Sequence, residues 1–504
     1  MQNYITTIKA IFDTNRARDF ITVAMTGKKY TYEDVLFYSL KLARFFEEKG
    51  IKKGEKVAIF LPNCVEYIFT YFACMHIGAV AVPINHKLHL EEVKHILVQI
   101  EPFILITSKE YEHSLQQLMP QEKILAFNLQ EDVQTFFSLI SLYEINESEA
   151  FSAITNEDLF AIVFTSGTTA KPKGVMIWYG GLLGNAASFV QALNLTPDLK
   201  FYNMLDLAYL GGIYNLTVIP FMAKASIVLA KAFNPQTAIF FWEEVIKYSI
   251  NALWLVPSIA SILLLVDRDD KGCVYAKNKI KIALIGTAPL SLSLRKKFEE
   301  RYGITLYENY GLSETFFITT NSPQYGVPKG VGKVIERCSV IILDERGVRC
   351  PPREVGEIVV GSPYKMQGYY KQQGALGDMF VTGDVGYVDE DGFLYITDRK
   401  KDIIIRGGIN ISPREIEEVI ANYPGVDEVV VVGIEHDYVG EDIIAVVKSK
   451  NNLQEKDLKA HCTRFLANFK IPSRFVIKEE FPRAVTGKVQ KNQLKLMLRS
   501  QGNE

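Results

Sequence analysis

The chain has 504 residues, of which 48% are hydrophobic and 23% are charged, and this composition predicts a globular protein with more than one core. The formal net charge of -2 excludes a bulk positive field that would attract nucleic acid. The six cysteines are scattered without a CxxC pair, which excludes a small disulfide framework and favours a reducing, cytoplasmic location.

The amino-terminal region alternates helical and strand-like segments. The stretch from Tyr67 to Asn85 contains no Asp, Glu, Lys or Arg, and by length alone it could cross a bilayer. Gly78 and Pro83 interrupt it, and a helical half gives way to a β-rich half. This pattern favours a helix that leads into a buried parallel strand, so we predict no transmembrane segment.

The rest of the chain divides into three further regions. Apolar strand-like segments alternate with helical segments from Phe160 to Tyr310, which predicts a second parallel sheet covered by helices. Short strands with frequent turns after Val331 predict an antiparallel sheet or small barrel. The charged run from Asp398 to Asp402 predicts a linker before a last αβ unit. The predicted fold class is α/β and multidomain. A large part (1–400) contains two αβα-layered subdomains and a β-barrel-like subdomain, and a smaller, mobile α+β domain (401–504) follows it.

A loop rich in hydroxyl groups and glycine follows an apolar strand in FAIVFTSGTTAKPKG (160–174). Backbone N–H groups, hydroxyls and a lysine can together hold phosphate oxygens through charge-assisted hydrogen bonds. The loop does not match GxxxxGK[ST], because no hydroxyl residue follows its lysine. The residues predicted to contact phosphate are Thr165, Ser166, Gly167, Thr168, Thr169 and Lys173.

Five further blocks follow in order. They are YENYGLSET (307–315), GEIVVG (356–361), FVTGD (380–384), DRKKDIIIRGGINISPREIE (398–417) and PRAVTGK (482–488). Together with the loop, they closely resemble the adenylate-forming superfamily of acyl-CoA synthetases, adenylation domains and firefly-type luciferases, over nearly the whole chain. The resemblance implies that a carboxylate attacks the α-phosphate of MgATP to give an acyl adenylate and pyrophosphate. A thiol then displaces AMP.

The resemblance also implies a nucleotide site. Tyr310 is expected to stack on adenine, and Ser313 is expected to contact phosphate. Asp384 is expected to accept hydrogen bonds from both ribose hydroxyls, next to the ribose-contacting Arg399. The block 307–315 further places Asn309 and Gly311 among the residues that bind the nucleotide.

Catalytic and conformational roles follow from the same resemblance. Lys488 matches the catalytic lysine that bridges the carboxylate and the α-phosphate, and Glu314 matches the Mg²⁺ ligand. Thr165 is expected to be a catalytic residue together with Lys488 and Glu314. Lys401 matches the hinge about which the small domain rotates between the half-reactions, and Gly408 matches a glycine that lines the pantetheine tunnel.

The sequence departs from the family pattern at three positions. Ala170 replaces a glycine of the phosphate loop, which could stiffen the loop. Tyr209, in LDLAYLGG (205–212), and Tyr179 each stand where histidine is common. Both tyrosines touch the expected acyl pocket, so the resemblance does not identify the substrate.

The acyl pocket is expected beside the adenylate. Relatives that activate amino acids place an acid where this chain has Leu210, and a buried ammonium without a partner is costly. An α-amino acid is therefore disfavoured, and an apolar or aromatic acyl group is favoured. The residues expected to line the pocket are Tyr209, Gly286, Thr287, Ala288 and Gly311, with Phe316 and Phe317 as either lining or core.

The sequence thus predicts an acid:thiol ligase that uses ATP, Mg²⁺ and coenzyme A. Carrier-protein phosphopantetheine is an alternative acceptor, and a luciferase-like monooxygenase is an alternative activity. A nucleotide-binding protein without turnover is disfavoured, because Lys488 and Glu314 are both present. The acid, its chain length and the oligomeric state are left open.

Overall fold

A computed structural model describes residues 3–129, 136–147, 150–165, 172–267, 269–372, 377–436, 440–449, 453–483 and 489–500. The α-helices of these ranges are α1 (Tyr4–Asn15), α2 (Tyr32–Glu48), α3 (Val65–Ile77), α4 (Leu90–Ile100), α5 (Lys109–Leu115), α6 (Phe136–Ile140), α7 (Tyr179–Leu193), α8 (Ile219–Met222), α9 (Phe241–Lys247), α10 (Pro257–Val266), α11 (Lys271–Lys279), α12 (Leu292–Tyr302), α13 (Pro413–Ala421), α14 (Glu455–Phe465) and α15 (Lys491–Ser500). Short 3-10 helices lie at Gln121–Lys123, Thr237–Phe240, Pro323–Tyr325, Lys400–Asp402 and Asn468–Lys470, and a π-helix lies at Gly211–Val218.

The strands belong to four sheets. They are β1 (Asp19–Val23), β2 (Lys29–Thr31), β3 (Lys56–Phe60), β4 (Val80–Pro83), β5 (Ile104–Ser108), β6 (Ile124–Phe127), β7 (Leu159–Thr165), β8 (Lys173–Trp178), β9 (Lys200–Asn203), β10 (Ser226–Leu229), β11 (Ala252–Leu255), β12 (Ile282–Ile285), β13 (Leu306–Leu312), β14 (Phe316–Thr320), β15 (Lys333–Val334), β16 (Ser339–Leu343), β17 (Gly356–Gly361), β18 (Gly368–Tyr369), β19 (Met379–Val388), β20 (Leu394–Arg399), β21 (Ile404–Arg406), β22 (Ile409–Ile411), β23 (Glu428–His436), β24 (Gly440–Lys448) and β25 (Arg474–Lys478).

Two large sheets form the amino-terminal part. The first has the order β15-β14-β13-β12-β11-β9-β10-β1-β2, and its central strands from β13 to β1 run parallel. The second has the order β18-β8-β7-β4-β3-β5-β6, with parallel strands from β7 to β6. Helices cover both sheets, as parallel sheets require. The two predicted αβα layers are therefore confirmed.

The stretch that resembled a membrane span is a helix followed by a strand. Every residue of α3 is buried, and β4 is buried along its length. A helix that is apolar on all sides fits only in the interior, here between the two large sheets. Within the described ranges, no helix combines the length and apolar composition needed to span a bilayer.

The remaining strands form two smaller units. Strands β16, β17, β19 and β20 form an antiparallel sheet, one of the two forms predicted for this region. The carboxy-terminal strands β21 to β25 form a mixed sheet, with α13 and α14 packed on one face and α15 on the other. Helix α13 begins where Ser412 caps the Glu415 amide and Pro413 fixes the first turn.

Candidate nucleotide and acyl site

Part of the predicted site lies at the carboxyl ends of parallel strands. Strands β11, β12 and β13 run parallel. Residues 286–288 directly follow β12, Tyr310 and Gly311 lie near the end of β13, and Ser313 and Glu314 follow it. Open parallel sheets bind ligands in the crevice beyond this edge. The antiparallel strands β19 and β20 add side chains from the small sheet to the same place.

Tyr310, Asp384 and Arg399 form a contacting cluster. The Tyr310 hydroxyl donates to Asp384 Oδ2 at 2.7 Å, and Arg399 Nε lies 2.8 Å from Asp384 Oδ1. Asp384 and Arg399 are brought together because they are register partners on β19 and β20. Asp384 is buried, whereas about half of the Arg399 side chain is exposed. The cluster therefore offers a fixed carboxylate next to a cation that solvent and ligand can reach.

Burial and the Asp384 carboxylate raise the pKa of Tyr310 well above its ordinary value. The phenol therefore stays protonated and keeps donating to Asp384 at neutral pH. The Asp384 carboxylate is thus held by the Tyr310 hydroxyl on Oδ2 and by Arg399 Nε at Oδ1.

Glu314, Tyr369 and Lys173 form a second contacting group. The Tyr369 hydroxyl donates to Glu314 Oε1 at 2.9 Å, and Lys173 Nζ lies 5.0 Å from the centre of the Tyr369 ring. Burial and the nearby Glu314 raise the pKa of Tyr369, so it remains a donor. Tyr369 is held there because β18 pairs with β8, where it lies opposite Val175. Sequence reasoning missed Tyr369, since no motif or charge distinguishes it.

The phosphate loop is described only at its two ends. Thr165 and Lys173 face each other as the last paired residues of β7 and β8, so they form the base of a hairpin. The predicted loop residues Ser166, Gly167, Thr168 and Thr169, the substitution Ala170 and the catalytic Lys488 lie outside the described residues.

The turn between β13 and β14 requires close backbone approach at Gly311. A Cβ at this position would overlap the Phe316 carbonyl oxygen, so only glycine fits. Phe316 takes a positive φ of 56°, and the Thr315 hydroxyl accepts from the Leu312 amide at 3.3 Å. Ser313, half-buried in the same turn, lies one residue before Glu314. The motif residues are therefore held by a tight, specific turn.

Directly after β12, Gly286 lies against the side-chain amide of Asn309. A Cβ at Gly286 would overlap Asn309 Oδ1, so the Asn309 side chain lies across Gly286. Asn309 is 4% exposed, and neither atom of its amide has a hydrogen-bond partner among the described residues. Thr287 is exposed with a φ of 68°, and Ala288 is half-buried beside it. A buried, unpaired amide is costly unless a ligand or water satisfies it.

Tyr209 and Tyr179, the two tyrosines in place of histidine, occupy different environments. Tyr209 is half-buried, and burial and Asp206 raise its pKa to about 12. Asp206 accepts a hydrogen bond from the Asn85 side chain at 2.9 Å, which ties this loop to the end of β4. Tyr179 is fully buried at the start of α7, with its ring 5.4 Å from that of Phe160. Tyr179 is therefore a core residue.

Leu210 is half-buried directly before the π-helix, and Phe316 and Phe317 are buried in the largest core cluster. The Phe317 ring stacks on that of Phe189 with 4.3 Å between centres. Phe316 packs on Tyr214 at 4.8 Å. The sequence left open whether Phe316 and Phe317 line the acyl pocket or belong to the core. These contacts place both residues in the core.

The predicted hinge and tunnel residues lie at turns. Lys401 is exposed in the 3-10 turn Lys400–Asp402, between β20 and β21. Gly407 and Gly408 have φ values of 59° and 80° and connect β21 to β22. A Cβ at Gly408 would meet no described atom within 4 Å, so this turn is open in the observed domain arrangement.

The first residues of α13 form hydrogen bonds with residues of the large part (1–400). Asp398 Oδ2 accepts from the Ser412 hydroxyl at 2.8 Å and from the Arg414 amide at 3.2 Å. The Arg414 guanidinium donates to the carbonyl oxygens of Ile396, at 2.8 Å, and Leu290, at 3.3 Å. Sequence reasoning missed this anchor, although the pattern S-P-R-E signals a capped helix start.

The chain is similar to known proteins over most of its length. Residues 12–370 match the family model of the AMP-binding enzymes, and residues 415–488 match the model of the AMP-binding enzyme carboxy-terminal domain. A long-chain-fatty-acid–CoA ligase of Bacillus subtilis (strain 168) is 30% identical over 97% of this chain and 94% of its own. A 2-succinylbenzoate–CoA ligase of Bacillus mycoides (strain KBAB4) is 30% identical over 95% of this chain and 97% of its own.

Among solved structures, ATP-bound MatB from Rhodopseudomonas palustris superimposes with a TM-score of 0.88 at 26% identity, covering 99% of both chains. The predicted fold class and the predicted family are both confirmed. The order of motifs, the contacting cluster at Asp384 and the match of two family models over most of the length lead to one assignment. The chain belongs to the family of AMP-binding enzymes, within the adenylate-forming superfamily that its motifs resemble.

Proposed function

We propose that the chain is an AMP-forming acid:CoA ligase, which activates a carboxylic acid with ATP and transfers the acyl group to coenzyme A. One observation carries the proposal: the buried Asp384 carboxylate holds Tyr310 and Arg399 at the edge where parallel strands end. This is the enzyme class that the sequence predicts, and the curated relatives at 30% identity are CoA ligases. The six scattered cysteines support a cytoplasmic location.

The described residues fit an adenine nucleotide. The Asp384 carboxylate would accept hydrogen bonds from the two ribose hydroxyls, and Arg399 would donate to the same sugar. The Tyr310 ring, held by its hydroxyl, is proposed to stack on adenine. The phosphates would then extend toward the hairpin base at Thr165 and Lys173. There the Lys173 ammonium group and the hydroxyl-rich loop that follows Thr165 can hold them.

The carboxylate of Glu314 fits a magnesium ion. Mg²⁺ prefers oxygen ligands and usually takes only one or two carboxylates, completing its shell with phosphate oxygens and water. The Glu314 carboxylate would hold the ion, and its Oε1 also accepts from the Tyr369 hydroxyl. When bound, the ion would neutralise charge on the triphosphate. Among the described residues no group of three or more His, Cys, Asp or Glu side chains offers an alternative metal centre.

In the first half-reaction, a carboxylate oxygen forms a bond to the α-phosphorus, and the bond from that phosphorus to the bridging oxygen of pyrophosphate breaks. Lys488 is proposed to lie between the carboxylate and the α-phosphate. There it reduces their mutual repulsion and stabilises the charge that develops in the transition state. Asp384, Arg399 and Tyr310 would contribute by fixing the nucleoside, which places the α-phosphorus for in-line attack.

In the second half-reaction, the thiol sulfur of coenzyme A attacks the acyl carbon, AMP leaves with the bonding electrons, and the thiol proton passes to solvent or buffer. We propose that the small domain (401–504) rotates about Lys401 between the two steps. Gly408, exposed in an open turn in the observed arrangement, would then reach the pantetheine arm. A loop of this kind can absorb the required change in backbone angles.

Pyrophosphate release tests the proposal. The purified chain is incubated with MgATP and single carboxylic acids, short, medium, long and aromatic, with and without coenzyme A. We expect acid-dependent pyrophosphate release and, with coenzyme A, a thioester detected by mass spectrometry. Thioester formation on phosphopantetheinyl carrier protein alone would select the carrier as the acceptor. No acid-dependent consumption of ATP across the series would contradict the proposal.

A Glu314→Gln variant is expected to need at least about tenfold more Mg²⁺ for half-maximal pyrophosphate release, because a neutral amide is a poor ligand for a hard cation. Its oxygen can still accept from Tyr369, so the fold should be kept. Glu390→Gln, at an exposed ion pair with Arg353, is the matched control. An unchanged Mg²⁺ titration would remove Glu314 from the metal site.

A Lys401→Pro variant is expected to slow thioester formation at least about tenfold while acid-dependent pyrophosphate exchange stays measurable. Proline fixes φ and restricts the preceding residue, so the turn Lys400–Asp402 loses the freedom that rotation requires. Lys401→Ala removes the same side chain but keeps that freedom, and it should behave like the unmodified enzyme. Full-rate thioester formation by the proline variant would contradict the hinge assignment.

A further inference from the structure

Residues 366–370 join the turn that carries Glu314 to the strand that begins with Lys173. We call them the bridging segment; it contains β18. On one side, the amide of Met366 donates to the Glu314 carbonyl oxygen at 2.7 Å. On the other side, two further amides of the segment donate to carbonyl oxygens of β8, at 3.0 Å and 2.8 Å. The turn and the strand are thus hydrogen-bonded to the same short piece of backbone.

Tyr369 lies in the bridging segment and contacts both of these site residues with its side chain. Its hydroxyl donates to Glu314 Oε1 at 2.9 Å, and its ring centre lies 5.0 Å from Lys173 Nζ. An ammonium group within about 6 Å of a ring centre is attracted to the face of the ring. Tyr369 lies opposite Val175 in the strand register, so strand pairing fixes its backbone. One phenol group therefore contacts a carboxylate and an ammonium at the same time.

The Glu314 carboxylate, in a half-buried residue, is oriented by a neutral donor. Between residues that the structure describes, no Lys, Arg or His forms an ion pair with Glu314. A neutral donor orients a carboxylate and leaves its charge for another cation, whereas an ion pair would compete for the same oxygens. Carboxylates that bind metal ions in proteins are commonly oriented by hydrogen bonds of this kind.

The hydroxyl contact is not needed to hold the bridging segment in place. The backbone amides of the segment bond to β8 and to the Glu314 carbonyl oxygen. Directly before the segment, the Trp178 indole donates to the Lys365 carbonyl oxygen at 2.8 Å. Loss of the Tyr369 hydroxyl should therefore leave the backbone where it is and affect the Glu314 carboxylate alone.

We infer that Tyr369 is a positioning residue for the adenylation step, which holds the Glu314 carboxylate through its hydroxyl and the Lys173 ammonium through its ring. This inference rests on the proposed function, which assigns the metal ion to Glu314 and the phosphates to Lys173. It adds that one side chain keeps these two charges at a fixed separation. Removing the hydrogen-bond partner of a metal ligand typically weakens metal binding about 10- to 100-fold.

The first experiment measures metal binding without turnover. The purified chain is loaded with an ATP analogue in which a methylene group replaces the oxygen between the α- and β-phosphorus, and bound Mn²⁺ is titrated by electron paramagnetic resonance. We expect Tyr369→Phe to raise the Kd of Mn²⁺ at least about fivefold. Its affinity for the analogue in EDTA and its melting temperature should stay those of the unmodified enzyme.

Tyr370→Phe is the matched control, because it removes the hydroxyl of the next residue while its backbone amide keeps its bond to β8. The inference is overturned by an unchanged Kd of Mn²⁺ in Tyr369→Phe, by an equal rise in Tyr370→Phe, or by no analogue-dependent Mn²⁺ binding in the unmodified enzyme. In each case acid-dependent pyrophosphate release would still support the proposed function. Absence of that release would overturn both.

The second experiment tests whether Tyr369 acts through Glu314. The Kd of Mn²⁺ is measured for Tyr369→Phe, Glu314→Ala and the double variant under the same conditions. Residues that act through one contact have non-additive effects, so the double variant should match Glu314→Ala within about twofold. If the two effects multiplied, Tyr369 would act independently of Glu314 and would not be its positioning residue.

The third experiment separates the ring from the hydroxyl. Tyr369→Leu removes both groups, so it is expected to lower the affinity for the analogue in EDTA about threefold, in line with the modest strength of a solvent-accessible cation–π contact. Tyr369→Phe keeps the ring above Lys173 and should retain full affinity in EDTA. Equal affinities of the two variants in EDTA would overturn the role of the ring toward Lys173.

Discussion

An Asp384→Ala variant is expected to show a KM for ATP at least about a hundredfold higher in acid-dependent pyrophosphate exchange. Hydrogen bonds to a charged group contribute about 1.5 to 3 kcal/mol each, and the proposed ribose contacts involve two of them. The substitution also leaves the Tyr310 hydroxyl and the Arg399 guanidinium without their partner. Adenine stacking and sugar binding would therefore weaken together.

A graded series separates nucleotide binding from folding. Asp384→Asn keeps an acceptor for Tyr310 but loses the charge that faces Arg399, so its KM for ATP should lie between those of the parent and the alanine variant. Asp344→Asn is the control, because Asp344 shapes an exposed turn of the same small sheet by accepting from the Arg346 and Val348 amides. If Asp384→Ala kept its melting temperature and its KM for ATP, Asp384 would not be part of the nucleotide site.

A Lys488→Ala variant is expected to lose acid-dependent pyrophosphate exchange by a factor of about a thousand, because a preorganised charge aimed at the reacting groups contributes about 3 to 4 kcal/mol. Thioester formation from supplied acyl adenylate and coenzyme A should be largely kept, since the α-phosphate has already reacted. The two half-reactions are measured separately, by isotope exchange and by thioester yield.

The control for Lys488 is Lys495→Ala, which removes another lysine of the basic carboxy-terminal segment. It should leave both half-reactions unchanged. Equal loss of the two half-reactions in Lys488→Ala would indicate a general role in nucleotide binding or folding. Retention of both would place the charge that catalyses adenylation on another residue.

The cluster proposed to bind the nucleotide could be predicted from the sequence because its residues lie within short motifs. Tyr310 lies in the motif of β13, and Asp384 and Arg399 pair across one hairpin, so a local pattern is enough to bring Asp384 and Arg399 together. The helix and strand within Tyr67 to Asn85 follow from periodicity and from Gly78, which ends the helix with a φ of 72°. In each case the information lies within a few neighbouring residues.

The surroundings of the predicted acyl pocket were harder to predict because their contacts join distant parts of the chain. Asn185 reaches Phe317 from a position 132 residues earlier, and Tyr369 reaches Glu314 through the two-residue strand β18. No spacing rule connects such residues. Phe316 and Phe317 could be assigned to lining or core only once the rings of Phe189 and Trp254 were seen against Phe317.

Helix α13 starts on the carboxylate of Asp398 in β20, which precedes the proposed hinge. Asp398 accepts from Ser412 and from the Arg414 amide, and Arg414 reaches back to the carbonyl of Leu290, four residues after Gly286. If the small domain turns, these bonds must break, and the helix must find new partners for its first amides or leave them to water. Amide hydrogen exchange in that first turn would therefore differ between the two half-reactions if the small domain rotates between them.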